Sequence, residues 1–519
     1  MEMCRFFKRN RYVLGLMGAV VFLMHGERVH SLGIGIDTEA IIYSGQEQYE
    51  GWLSIGRQGL VLLKYVLGTA WYNPYFVGIL TCLLLGMACI GFLFLFEYVL
   101  TGQGCKADRT VHRWLGAAFG LIVVAHPVLT EQLYFTLQSA EVMLAVLLLE
   151  VCLLCAHLWA KSKNIFWALP AVVLLPVCFS VYQAMVPLYL FGVAALLCLR
   201  AIRPVKGKSE LLYMLRHGAL FLAGFGLNML ITRLFFTGSD YLSDQINWGK
   251  ENVPECVTRI LGHMWDVAIG EGTFYFQGFL WLCLLLLALA PLFVGREVGG
   301  RKNLWLPVPL AALVLSPFYL TMVQGIRPVP RAQLSLPFAT AFLAYLVGIL
   351  GAEKVHASQA AKVLKKAVGI GLLVTVVILV GQEAGITQRM YYTDALRYEQ
   401  DAALAYHIQT DIQEFTGQDS FEGPVVFLGR REARLNDVCV TGDVMGQSLF
   451  AWDTDAEPVY YWSSGRIVGF LHTVGARYAK PEAAQVQAAV DKGAQMPVYP
   501  ARGSIAWCGE TLVVKLSEE

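Results

Sequence analysis

The chain has 519 residues, of which 56% are hydrophobic and 15% charged, and its mean hydropathy is +0.53. Ordinary soluble domains carry roughly 25% charged residues, so this composition argues against a cytosolic enzyme, a disordered chain and a nucleic-acid-binding protein. The net charge of +1 conceals a division: residues 1–389 carry 30 basic and 21 acidic side chains, whereas residues 390–519 carry 10 and 18.

Apolar runs of about 17 to 25 residues recur along the body, long enough to cross a hydrocarbon core of roughly 30 Å as helices. Eleven spans are expected, near residues 11–31, 75–98, 114–130, 139–159, 165–179, 182–199, 211–236, 273–294, 304–323, 331–350 and 365–384. The fold class expected is an all-α polytopic membrane protein of about 11 transmembrane helices with a small C-terminal α/β domain. Arg5, Lys8, Arg9 and Arg11 precede the first span, and no small-residue cleavage site follows it, so it reads as an uncleaved span. The fifth and sixth spans meet at Ser180-Val-Tyr-Gln183 and read equally well as one broken hairpin.

Cytoplasmic loops of membrane proteins are enriched in Lys and Arg, which orients the spans. The N-terminal cluster, Lys106/Arg109/Arg113, Lys161/Lys163, Arg200/Arg203/Lys206/Lys208, Arg296/Arg301/Lys302 and Lys354/Lys362/Lys365/Lys366 all fall on one side. The other side holds only Arg28, Arg57, Lys64, Lys250, Arg259, Arg327 and Arg331. The expectation is a multi-pass protein of the cell membrane with its N-terminus cytoplasmic and its acidic tail extracytoplasmic.

The outer loops near 32–74 and 237–272 are long, which makes them candidates for function. Within them Trp52–Leu67 and Val257–Ile269 read as helices lying at the membrane interface. Two domains are expected, a membrane body over 1–388 and a tail over 389–519. In the tail, helices are expected over Asp394–Phe415 and Ala483–Asp491 and a short strand within Gly423–Gly429. Two further strands within Ser504–Leu516 turn at Gly509-Glu510. Most cysteines lie in apolar runs and act as small hydrophobes. Cys439 and Cys508 share the tail and are the pair able to bridge there.

Asp37 and Glu39 stand in Gly35-Ile-Asp-Thr-Glu39, just past the first span. A carboxylate near the hydrocarbon boundary is costly unless it has a partner or a task. Facing a sugar hydroxyl it serves as a general base, and partial desolvation raises its pKa towards the useful range. The plain alternative is a pair of solvated loop acids. Arg57, in Ser54-Ile-Gly-Arg-Gln-Gly59, suits a phosphate or anchors its helix by snorkelling. Arg327 and Arg331 flank two prolines and break the scarcity of outer cations, which points to an anionic partner such as a lipid phosphate.

Glu131, Gln132 and Gln138 crowd the turn between the third and fourth spans and suggest a polar cavity on the outer side. Capping by Thr130 accounts for part of this pattern. Tyr182 and Gln183 can line the same cavity, and Glu141, inside a span, requires a partner. Asp453-Thr-Asp455 matches a short metal-holding pattern of nucleotide-sugar transferases, but its domain is about half the size such a catalytic domain needs. No nucleotide-binding, zinc-protease or redox motif is present. No cofactor and no metal ligand is indicated, and a divalent metal is left open.

The order of these segments resembles the membrane glucosyltransferase family typified by O-antigen-modifying, serotype-converting enzymes of the Gtr type. The resemblance rests on Asp37-Thr-Glu39, on Gly56-Arg57, on Thr130-Glu-Gln-Leu-Tyr-Phe-Thr-Leu-Gln138, on Ser180-Val-Tyr-Gln-Ala-Met-Val-Pro187 and on Arg331 opening a span. It covers residues 10 to 385. It implies a GT-C-like fold that moves glucose or a similar hexose from undecaprenyl phosphate-glucose, or a like polyprenyl-phosphate donor, to a cell-surface glycan on the outer face. By this resemblance Asp37 or Glu39 is the base, Arg57 and Arg331 meet the donor phosphate, and Glu131 and Gln183 meet sugar or acceptor. The implied partners are the lipid-linked donor, a glycan acceptor and membrane lipid, with no nucleic acid.

The rival readings are a transporter or flippase of lipid-linked sugar, a glycan polymerase or ligase, and a non-catalytic assembly protein whose acidic tail binds a partner. Transporters show repeated halves and polar groups at the bilayer centre, whereas here the polar residues gather towards the outer side. The topology has its own check. A thiol reagent that cannot cross the membrane is expected to reach Cys439 or Cys508 in intact cells, after reduction if the two are bridged. Labelling only after permeabilisation contradicts the assigned orientation.

Overall fold

Apolar sequence becomes helix here because a backbone in lipid has to satisfy its own hydrogen bonds. The structure, a computed structural model, describes residues 2–102, 109–202, 209–236, 245–294, 297–298, 301–302, 304–353 and 359–518. Of the basic residues used for orientation, Lys106, Arg203, Lys206, Lys208, Arg296 and Lys354 lie outside the described residues, as do residues 237–244 of the fourth outer loop. Of the described residues 72% are helical. Among the described residues eight helices are long and apolar enough to cross a membrane. Helices Thr110–Ala125 and Pro127–Tyr134, bent by 54° at His126, make a ninth if taken as one span. Each expected span has a helix, but those at 165–181 and 278–292 are shorter than a span by length. This is a helical membrane protein.

The described chain forms two compact units. The first comprises Met1–Ser31, Trp52–Leu133 and Gln138–Thr387, and the second Leu32–Gly51, Tyr134–Leu137 and Gln388–Glu519. In the first, helices Pro74–Gly102, Arg109–Ala125, Met185–Ile202 and Ser335–Ala352 meet through a cluster of buried rings. Phe92 lies 5.1 Å from Phe338, and Phe96 lies 4.7 Å from Phe342 and 5.5 Å from Phe119. Lipid tails are as apolar as these rings, so close packing and ring geometry hold the helices together, at about 0.5–1.5 kcal/mol per aromatic pair.

Two sequence expectations change. Trp52–Leu67 is not one helix: a helix over Thr38–Ser54 ends, the chain turns through Gly56 at φ +77°, and Gln58–Leu67 begins a second helix. The second helix packs against Ala168–Val181, where Gly59 donates its N–H to Ser180 Oγ at 3.0 Å. A Cβ on Gly59 would collide with the Val177 carbonyl. Thr130, expected as a cap, lies inside helix Pro127–Tyr134 and exchanges a hydrogen bond with Thr387 at 2.9 Å. Helix Val253–Ile269 matches the interfacial pattern, with Val253, Val257, Leu261 and Trp265 exposed along one stripe and Cys256, His263 and Val267 buried.

The second unit is built on a three-stranded sheet. Thr511–Lys515 is its central strand, parallel to Val425–Leu428 and antiparallel to Ile505–Cys508 across the Gly509-Glu510 turn. Val425 and Phe427 enter one core with Leu512, Val514 and Ile467. Val426 and Leu428 enter another with Val513, Val486 and Ala489. Both faces are covered, which is why these strands read as unbroken apolar runs. Helix Tyr461–Thr473 buries Ile467, Val468, Phe470 and Leu471. Cys439 and Cys508 are both free thiols.

Glu141, the span carboxylate without an evident partner, receives Lys64 Nζ at 3.2 Å, and Thr69 Oγ1 donates to the same oxygen. Both charged side chains are buried, and removing one partner of a buried pair costs about 3–5 kcal/mol while replacing both costs far less. Lys64→Met is therefore expected to lower the unfolding temperature of the purified protein sharply, and Lys64→Met with Glu141→Gln to restore most of the loss. Additive losses in the double variant contradict the pairing.

Candidate functional site

Asp37 takes a left-handed backbone, φ +67°, which costs a non-glycine residue on the order of 1–3 kcal/mol. The surrounding unit fixes it there. Gly35 lies against the Tyr134 ring, where a Cβ would sit 2.7 Å from Cε1. Arg397, fully buried, donates from Nη2 to the Ile34 carbonyl at 3.0 Å and to the Tyr134 hydroxyl at 2.6 Å. Asp394 and Asp401 hold Arg397 from its own helix. The Asp37 carbonyl then accepts from Ile41, starting the helix that carries Glu39 on its first turn.

Helix Tyr461–Thr473 presents its other face to these acids. Arg466 Nη1 donates to Glu39 Oε1 at 2.8 Å and to Asp37 Oδ1 at 3.1 Å, and its Nε pairs with Asp453. Gly469 makes the approach possible, since a Cβ there would stand 3.1 Å from Glu39 Cγ. One guanidinium thus serves three carboxylates. Glu39 is the most enclosed of the three, at 1% exposure, and its Oε2 is buried without a hydrogen-bond partner. Burial pushes its pKa up to about 7; Arg466 opposes the shift and Asp37 adds to it. Burial prevails because Arg466 shares its charge with Asp37 and Asp453.

Glu39 and Arg466 line a cavity of about 420 Å³. Ala40, Ser44, Glu47 and Gln48 form one side, and Tyr461, Trp462 and Lys480 the other. Lys480 stands with its Nζ 4.5 Å from the Tyr43 ring, and burial lowers its pKa. Among the described residues no group of three or more His, Cys, Asp or Glu is placed to hold a metal ion.

The remaining sequence candidates lie in the first unit. Arg57 donates to Gln138 Oε1 at 3.2 Å and stands 5.4 Å from the Tyr182 ring centre, so three of them meet. Gln183 donates to Gln245 Oε1 at 3.1 Å, as does Gln324. Glu131 is buried, and Gln132 is buried with neither side-chain polar atom hydrogen-bonded. Arg327, expected to meet a phosphate, is half-exposed and paired with Asp266, and Arg331 is half-buried.

Sequence reasoning missed Arg466 and Lys480 and set Asp453 aside as part of a weak metal pattern; these three complete the acidic loop's surroundings. The one signal was scarcity: the tail holds few basic residues, and Arg466 stands directly after a glycine in an apolar helix. It also missed Glu383, a buried span carboxylate whose Oε1 is 3.9 Å from His126 Nε2. The His126 Nδ1 accepts from the Val128 N–H at 3.2 Å, at the bend between Thr110–Ala125 and Pro127–Tyr134.

A protein-family model described as "Glucosyl transferase GtrII" matches residues 32–347. No curated protein matches the chain, and no solved structure does.

The raised pKa of Glu39 has a consequence for stability. A carboxyl whose folded pKa lies above its unfolded value of about 4.5 stabilises the fold fully below pH 4.5 and loses that contribution as pH rises to about 7. The difference in unfolding free energy between wild type and Glu39→Gln is therefore expected to change by about 3 kcal/mol across that window and to be flat above it. Denaturant titrations in detergent from pH 4 to 8 measure it. Parallel curves throughout contradict the assignment.

Proposed function

Because the chain belongs to the glucosyl transferase GtrII family, we propose that it transfers glucose from a polyprenyl-phosphate carrier to a cell-surface glycan at the outer membrane face, with Glu39 as general base. The observation that carries this reading is the Glu39 carboxyl, buried, tied to Arg466 through one oxygen, with no hydrogen-bond partner for the other, in a residue that lines the cavity. A general base works best with a pKa near the operating pH, and Glu39 has one. Asp37 is more exposed, shares the same guanidinium nitrogen and serves to hold Arg466 in place.

In the proposed reaction Glu39 takes the proton from an acceptor hydroxyl, whose oxygen attacks the anomeric carbon of the donor sugar. The bond from that carbon to the phosphate oxygen breaks, and polyprenyl phosphate leaves with the electron pair. The donor is already activated, so the chemistry requires a base, positioning and a cation for the departing phosphate. Arg57 is assigned to that phosphate. Among the described residues no carboxylate lies within ion-pair distance of it, and Gln138 and Tyr182 hold its guanidinium in place. Arg331 is retained in the same role on the strength of its place opening a span, and Glu131 and Gln183 as sugar contacts.

Purified protein given radiolabelled undecaprenyl phosphate-glucose and acceptor glycan provides the test. Glu39→Gln is expected to lower kcat by roughly 10²–10⁴, and Asp37→Asn by about tenfold or less. The wild-type rate is expected to rise with pH through about 7 as Glu39 loses its proton. Equal activity in wild type and Glu39→Gln overturns the base assignment, and no consumption of any lipid-linked hexose overturns the transferase reading.

A further inference from the structure

The cavity beside Glu39 has features that a base alone does not need. Its helical wall is bare where it matters: Gly465 has open space over its Cα, with Lys480 Cδ, 4.0 Å away, the nearest atom to an added Cβ, and Gly469 follows one turn later. At its rim Trp462 is 54% exposed, a large aromatic surface left out of both cores. Its pose is nonetheless fixed: the indole N–H donates to the Glu457 carbonyl at 3.1 Å, and the Tyr461 ring stands edge-on to it at 5.1 Å. Opposite, Ser44, Glu47 and Gln48 offer hydroxyl, carboxylate and amide groups, and Ser44 sits at a kink in its helix with φ −144° and ψ 63°. A fixed aromatic face against a polar wall, with a buried unpartnered carboxylate oxygen between, matches the two surfaces of a pyranose, one of C–H groups and one of hydroxyls.

Charge decides which sugar. Glu39 and Glu47 line this cavity together with Arg466 and Lys480, two acids against two bases, and Arg466 is further tied to Asp37 and Asp453. The lining has no excess of cations, and Arg466 is already occupied by three acids. It therefore offers a phosphate no uncommitted guanidinium, whereas a neutral sugar needs none. Resting on the transferase reading above, we infer that this cavity is the acceptor subsite: a neutral pyranose of the glycan stacks on Trp462 and lies over Gly465, presenting a hydroxyl to Glu39. The aromatic face that would stack on the acceptor then comes from beyond position 347, where the family match ends, and the polar wall and the base come from within it.

The test uses the full-length protein in detergent and, as probe, the delipidated surface polysaccharide of the cell that makes it. Binding is read by saturation-transfer NMR, and transfer by label moved from undecaprenyl phosphate-glucose. Trp462→Ala is expected to weaken polysaccharide binding and raise the acceptor KM by about tenfold or more, with the donor KM unchanged and Trp462→Phe close to wild type. Gly465→Leu, which fills open space and keeps the helix, is expected to do the same by obstruction. Unchanged binding and acceptor KM in both variants overturn the inference, as does a rise in the donor KM alone. A Trp462→Ala defect that is silent in Gly465→Leu also overturns it, marking Trp462 as a membrane-interface anchor. If wild type binds polysaccharide through Trp462 yet transfers no sugar, the subsite stands and the transferase reading falls. If it transfers sugar with binding indifferent to Trp462 and Gly465, the reverse holds.

Discussion

One guanidinium among three carboxylates sets the character of the site. Arg466 reaches Asp37, Glu39 and Asp453 at once, so its single positive charge is divided and the group as a whole stays negative. That arithmetic explains why Glu39, the most buried of the three, holds its proton up to about pH 7 even with a cation 2.8 Å away. It also explains the surrounding geometry. Gly469 has no side chain because Glu39 occupies its space, and Asp37, two residues before Glu39, takes a left-handed backbone that lets both acids reach the one guanidinium. A neutral apolar cluster of the same size would be easier to fold.

The membrane body follows a different rule. Its helices meet through aromatic rings and glycine contacts, and its buried pair Lys64 with Glu141 satisfies the low-dielectric interior's demand for neutrality. Glu39 and Glu141 each have one oxygen without a hydrogen-bond partner. They differ in the cation: Lys64 faces one carboxylate, whereas Arg466 is divided among three. The two predicted phosphate cations also differ, since Arg327 is paired with Asp266 whereas Arg57 is held by an amide and a ring.

Much of the fold was legible because hydrocarbon length leaves a direct trace in the chain. Each expected apolar run lies on a helix, and the strand pair around Gly509-Glu510 was visible from its apolar runs and turn chemistry. Less was legible where the helix is short or broken. The span expected at 114–130 contains His126, whose ring accepts a hydrogen bond from the helix that follows, and no hydropathy pattern reports a bend. Asp37 and Glu39 could be singled out because acids beside a span are costly. Arg466 could not, because a cation more than 400 residues away carries no local periodicity linking it to them. Asp453 was set aside for belonging to a weak metal pattern, and its actual partner is a guanidinium. Long-range pairing of charge is the information that a single sequence withholds.

The central claim is that Glu39 titrates near neutrality under the hold of Arg466, and infrared spectroscopy reads this without any substrate. The carboxyl C=O band of the purified protein that is lost in Glu39→Gln is followed as a function of pH. The account predicts a midpoint near 7, moving higher in Arg466→Met as the opposing charge is removed. A midpoint near 4.5, the value of an ordinary glutamate, in both proteins would contradict it.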